Sequence, residues 1–129
     1  MTNLELVQRM FEAVAAQDLA TLETVLDDNL TFTLSGNSPF AGRTVGRDNV
    51  LALLSKLNGE LAISNSVHGL YDGPDGVVVH QTGTAPGYDD EALVFFKINN
   101  AQVTEAVEFV FDVAAFDRYV EASRVPSSP

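Results

Sequence analysis

Residues 91–111 read EALVFFKINNAQVTEAVEFVF. Two runs rich in aromatic and β-branched residues, 91–98 and 102–111, flank Asn99-Asn100. Asn tolerates positive φ, so the pair suits a tight turn between two antiparallel strands. Upstream, residues 61–71 and 77–84 have the same character. They are separated by Asp72-Gly73-Pro74-Asp75-Gly76 and joined to the hairpin by Ala85-Pro86-Gly87-Tyr88-Asp89-Asp90. The second half of the chain therefore predicts a four-stranded antiparallel meander.

The first half has a different period. Leu4, Val7, Met10, Phe11 and Val14 recur at helical spacing behind Thr2, with Glu5 placed to complete a capping box. Asp18 caps a second helix lined by Leu19, Leu22, Val25 and Leu26, which Asp27-Asp28-Asn29 is expected to end. Residues 30–34 alternate as a short strand, and residues 35–46 predict a loop. A third helix is predicted over 47–57, closed by Asn58-Gly59, and a last one follows Asp112. Helices followed by a meander predict an α+β class. No internal repeat or linker divides the chain. A single domain is expected over residues 1–123, with 124–129 as a flexible C-terminal tail.

The chain has 129 residues, of which 46% are hydrophobic, enough for a sizeable core. Seven Lys and Arg against 18 Asp and Glu give a formal charge of −11. No basic footprint exists to neutralise phosphates, so nucleic acid is not an expected partner, and an anionic membrane surface should repel the chain. No signal peptide or membrane-length apolar run is visible, and a cytoplasmic location is expected. The absence of cysteine excludes disulfides and thiolate chemistry. Gly36 and Gly42 lack the spacing of a phosphate loop, and no serine sits in a nucleophile elbow, so no cofactor is expected.

The ordered set of motifs resembles the nuclear transport factor 2-like superfamily, in its SnoaL-like, ketosteroid-isomerase-related branch. The residues carrying the resemblance are Asp27-Asp28-Asn29-Leu30-Thr31-Phe32, Gly36, Pro39-Phe40-Ala41-Gly42 and Gly46-Arg47-Asp48-Asn49-Val50. A second signature is the hairpin from Phe95 through Asn99-Asn100 to Glu105, followed by Asp112. The resemblance implies a cone-shaped, cystatin-like fold: a curved, mainly antiparallel sheet wrapped around the N-terminal helices, with a pocket inside. It also implies a homodimer and a small hydrophobic ligand. Relatives include isomerases, polyketide cyclases, dehydratases, epoxide hydrolases and ligand binders, so fold alone does not fix function.

Two positions depart from the ketosteroid isomerases. Met10 stands where they carry a helix-1 tyrosine, and Thr33 where they carry the strand-1 aspartate. Methionine has no donor and threonine does not titrate near neutrality, so their mechanism is not expected here. The Arg-x-Asp pair of the epoxide hydrolases is also missing from residues 77–84, which hold His80-Gln81-Thr82 instead.

The acidic position on the last strand of the cyclases and epoxide hydrolases falls on Glu108. Alternation groups Thr104, Ala106, Glu108 and Val110 on one face, and Val103, Glu105, Val107, Phe109 and Phe111 on the other. Glu108 therefore faces either solvent or a pocket, and in a pocket desolvation would raise its pKa and suit it to proton transfer. His80, which shares a face with Val78 and Thr82, is the second candidate catalytic group, since histidine titrates close to neutrality. Met10, Phe11, Val14, Phe32, Leu34, Phe40 and Leu54 are the expected pocket walls, with His68 and Tyr88 as polar contributors. Two histidines without a third ligand at suitable spacing predict no metal site. Three functions fit this set: a cofactor-free isomerase, cyclase or dehydratase, a non-catalytic ligand binder, or a dimeric interaction module.

Overall fold

A computed structural model describes residues 1–124. The structure is α+β, with four helices and one curved, open six-stranded sheet. Helix α1 (Asn3–Ala16) begins where Thr2 Oγ1 accepts the Glu5 N–H and Glu5 Oε1 accepts the Thr2 N–H. This reciprocal cap satisfies two amides the helix cannot pair itself. Leu6, Val7, Met10 and Ala13 form its buried stripe. Helix α2 (Leu19–Val25) starts at Asp18, whose Oδ1 accepts the Thr21 N–H at 3.1 Å.

The strands are β1 (Leu26–Leu34), β2 (Gly42–Val45), β3 (Ser64–Asp72), β4 (Gly76–Ala85), β5 (Tyr88–Asn99) and β6 (Gln102–Val110). Helix α3 (Arg47–Leu61) connects β2 to β3, and α4 (Val113–Arg124) follows β6. The sheet order is β2-β1-β6-β5-β4-β3. Strands β3 to β6 form the expected meander, and β1 joins it parallel to β6, making the sheet mainly antiparallel.

Several boundaries differ from the sequence reading. Asp27-Asp28-Asn29 does not end α2; it lies inside β1, which begins at Leu26. The polar triplet is tolerated there because the β1–β6 register shifts between Leu26 and Thr31. Asp27 Oδ1 accepts the Asn29 N–H, and Arg47 holds Asp28 at 2.7 Å. The expected loop over 35–46 contains a short edge strand, β2, paired antiparallel to β1. Helix α3 continues through Asn58-Gly59 and stops only at Ala62, which adopts a left-handed conformation (φ 53°). The first meander strand begins at Ser64, after that longer helix. Helix α4 includes Arg124, and the rest of the expected tail, 125–129, lies outside the described residues.

The concave face of the sheet packs on α1, α2 and α3 through one continuous apolar cluster, including Val7, Met10, Phe32, Val79, Val94 and Val103. Helix α4 docks elsewhere on the same body. Its Tyr119 hydroxyl donates to the Leu61 carbonyl at the end of α3, and Asp117 Oδ2 accepts the Asn37 N–H after β1. Gly36 is required at that contact: its φ is +107°, and a Cβ would lie 2.6 Å from Asp117 Oδ1. No helix of the described residues is long and apolar enough to cross a membrane.

Candidate functional site

The helices do not fill the concave side completely. A cavity of about 160 Å³ remains between α1, α3 and the sheet. Met10, Phe11 and Val14 of α1 form one wall, and Val50, Leu51 and Leu54 of α3 form another. Leu26, Leu30 and Phe32 of β1, with Val94, Phe96, Val103 and Ala106, make the floor. Phe11 meets Phe96 edge to face, with ring centroids 5.8 Å apart. Val14, Asn58 and Asn65 are exposed as well as lining, so they mark the rim.

Glu108 enters this cavity because of a bulge. Ile98 pairs with Val103, but Lys97 pairs with Glu105, so Thr104 is an extra residue in β6. The bulge resets the alternation. Val103 before it and Ala106, Glu108 and Val110 after it all face inward, while Phe109 faces out. Simple alternation separates Val103 from Glu108; the structure brings both to the cavity wall. Among the described residues no group hydrogen-bonds to the Glu108 carboxylate. Burial pushes its pKa up to about 7. Among the described residues it is the sole titratable side chain lining the cavity.

The expected site residues divide into two groups. Met10, Phe11, Val14, Phe32, Leu54 and Glu108 converge on the cavity. Leu34 is buried beside Glu108 in register, but it belongs to the packed core and does not line the void. Phe40 packs on the edge of that core. Tyr88 stacks on Tyr119, with centroids 5.0 Å apart, and contacts Phe116 under α4. Its hydroxyl is pushed well above the usual tyrosine range by burial, and further by the carboxylates of Asp90, Glu108 and Asp112.

The two histidines require correction. Val77, Val79 and Gln81 are the buried positions of β4, so His80 belongs to the outer face, away from Glu108. Its Nε2 lies 2.6 Å from Glu91 Oε1, and its ring stacks on exposed Phe111. His68 is the extra residue of a bulge in β3 and hydrogen-bonds to Thr82 Oγ1 at 2.9 Å. The pair does approach, at 5.4 Å between centroids, but on the wrong side of the sheet for the cavity. Among the described residues no group of three His, Asp or Glu side chains is arranged to hold a metal ion.

Sequence reasoning missed Gln81, which is 7% exposed and lines the cavity where His80 was expected. The run Val77-Val78-Val79 is apolar in both phases, so β4 carries no local signal for which neighbour turns inward.

Comparisons with known proteins agree with this architecture. The SnoaL-like domain family profile matches residues 7–121. Bal32a, from a soil-derived mobile gene cassette, is similar in structure with a TM-score of 0.81 and 27% identity, covering 91% of this chain and 95% of that one. A nuclear transport factor 2-like protein from Burkholderia xenovorans LB400 gives a TM-score of 0.75 at 24% identity, over 92% of this chain and 95% of its own. TerC, co-crystallised with polyporic acid, gives 0.75 at 15% identity, over 92% and 98%. No curated protein matches the chain by sequence.

Proposed function

The chain belongs to the SnoaL-like domain family, and on that premise we propose that it shelters a small, mostly apolar molecule in the cavity and moves a proton on it with Glu108. The reaction class is that of a cofactor-free isomerase, cyclase or dehydratase. One observation carries this reading: a carboxyl that no described residue hydrogen-bonds looks into an apolar void, where burial pushes its pKa up to about 7. A carboxyl poised there can both take and return a proton near neutral pH, which is what acid-base transfer needs. The cavity matches in size those that take up one six-membered ring. A neighbour of the same fold crystallised with polyporic acid supports a small-molecule occupant.

A second reading has its own observation. Among the described residues Glu108 has no titratable partner in the cavity, and His80, the expected second group, is on the outer face. A binder that shelters a ligand needs no partner, so non-catalytic binding is the alternative. In either case we infer a homodimer. Leu93, Phe95, Phe109 and Phe111 are exposed together on the outer face of β5 and β6 and its continuation, a concentration of apolar surface that association would cover.

Carboxyl NMR of selectively labelled protein tests the proposal. Glu108 should titrate near 7 and shift when a small apolar probe enters the cavity. Titration at the ordinary 4.5, unaffected by any probe, would overturn both cavity readings. Proton exchange into a bound ligand that Glu108→Gln abolishes would select catalysis over binding.

A further inference from the structure

Gln81 is a buried polar residue on the cavity wall. It is 7% exposed, and its carboxamide faces the cavity. Among the described residues that carboxamide makes no hydrogen bond. Its polar atoms are not sealed in the core but border the cavity, so a polar group on an otherwise largely apolar wall is free to bond whatever enters there.

Its surroundings point to a ligand. The register partner of Gln81 on β5 is Ala92, whose methyl side chain cannot cover the carboxamide. Ala92 pairs with Val110 on β6, two residues beyond Glu108. Gln81 and Glu108 are therefore separated by one intervening strand and one step along the inner face. On a flat sheet their backbones would be roughly 12 Å apart, and curvature brings the side chains closer. Among the described residues no cation lines the cavity, so an anionic ligand would have no counter-charge from them. A charged ligand of either sign would also lose its hydration against the phenylalanine and leucine walls.

We propose that Gln81 is the second polar anchor of the cavity, and that the occupant is a neutral monocyclic compound whose carbonyl or hydroxyl oxygen hydrogen-bonds to the Gln81 carboxamide. This rests on the cavity reading above and adds to it the polarity, charge and orientation of the ligand. The oxygen lies toward β4, and the opposite edge of the ring is presented to Glu108. Gln81 is a positioning and selecting residue.

The test compares Gln81→Leu with wild type, using cyclohexanone and methylcyclohexane as probes followed by NMR titration. Leucine is close to glutamine in size and removes an unpaired buried amide, so the variant should fold at least as stably. Cyclohexanone should bind it about tenfold more weakly, the worth of one buried hydrogen bond. Methylcyclohexane should bind the variant as well as wild type, or better. In wild type, cyclohexanone should also shift the Gln81 side-chain amide resonances, a readout independent of whether the variant folds. Equal losses for both probes, no loss for either, or unmoved amide resonances would overturn the role of Gln81 while leaving the cavity reading intact. Tighter binding of cyclohexylammonium than of cyclohexanone would overturn the neutral class. If neither probe binds wild type, the cavity reading itself fails, and this inference with it.

Discussion

Glu108 and Val94 are register partners across the β5–β6 ladder, and both side chains line the cavity. A carboxylate opposite a valine has no compensating donor, so the charged form is disfavoured and the folded-state pKa rises from 4.5 to about 7. The sign of the pH effect follows. Between those values the folded chain holds a proton that the unfolded chain has released. Stability contributed by this group is therefore fully present below about 4.5 and falls as pH rises to about 7. The loss is on the order of 3 kcal/mol. Glu108→Gln should abolish that decline, and urea unfolding at acidic and mildly alkaline pH would measure it. Wild type should lose stability relative to the variant as pH rises; parallel curves would show an ordinary, solvated carboxylate.

The sequence carried the class and the meander because periodicity changes sharply near residue 60, and that change survives local errors of boundary. It carried four of the expected cavity residues for a similar reason: Met10, Phe11 and Val14 lie on a helical stripe, and Leu54 on another. The bulge at Thr104 was not legible. Nothing in Val103-Thr104-Glu105 distinguishes a regular strand from one with an extra residue, yet that residue sets which way Glu108 points. The phase of β4 was equally hidden, because three consecutive valines fit both faces. The strand Gly42–Val45 escaped for a different reason: its edge pairing with β1 is made by backbone groups, and its side chains are mostly exposed.

Ala106 pairs with Phe96 on one side and Phe32 on the other, and its small side chain leaves room between two rings. Ala106→Leu should fill part of the cavity. Binding of apolar probes should weaken at least tenfold. Thermal stability should change by no more than about 1–3 kcal/mol, since added bulk enters existing space before it forces the walls apart. Calorimetric binding and denaturation of the same preparation check both halves. Undiminished probe binding would place the ligand elsewhere.

His80 and Glu91 meet at 2.6 Å, but their side chains remain 28% and 47% exposed. Solvent screens such a pair, and its loss should cost less than about 1 kcal/mol. His80→Asn should leave probe binding and the Glu108 titration where they are in wild type. Any proton transfer on a cavity ligand should continue at the wild-type rate. A tenfold loss of that rate with stability intact would restore His80 to the chemistry and require a path through the sheet that its position on β4 does not offer.

Phe109 and Phe111 are 54% and 56% exposed, at the end of β6 and just beyond it. Leu93 is the register partner of Phe109, so the exposed apolar side chains adjoin across two strands. An isolated aromatic on a surface is unremarkable, but an adjoining set across a sheet face favours a partner that removes it from water. In a chain of formal charge −11, added negative charge on that face should oppose self-association strongly. Phe109→Glu with Phe111→Glu should convert a dimer to a monomer in sedimentation, while the cavity, on the opposite face, keeps its probe affinity. A wild-type chain that is monomeric at micromolar concentration would exclude the homodimer. A double variant that remains dimeric would move the interface to another surface, because two buried carboxylates facing their own copies could not be accommodated without protonation or a counter-charge.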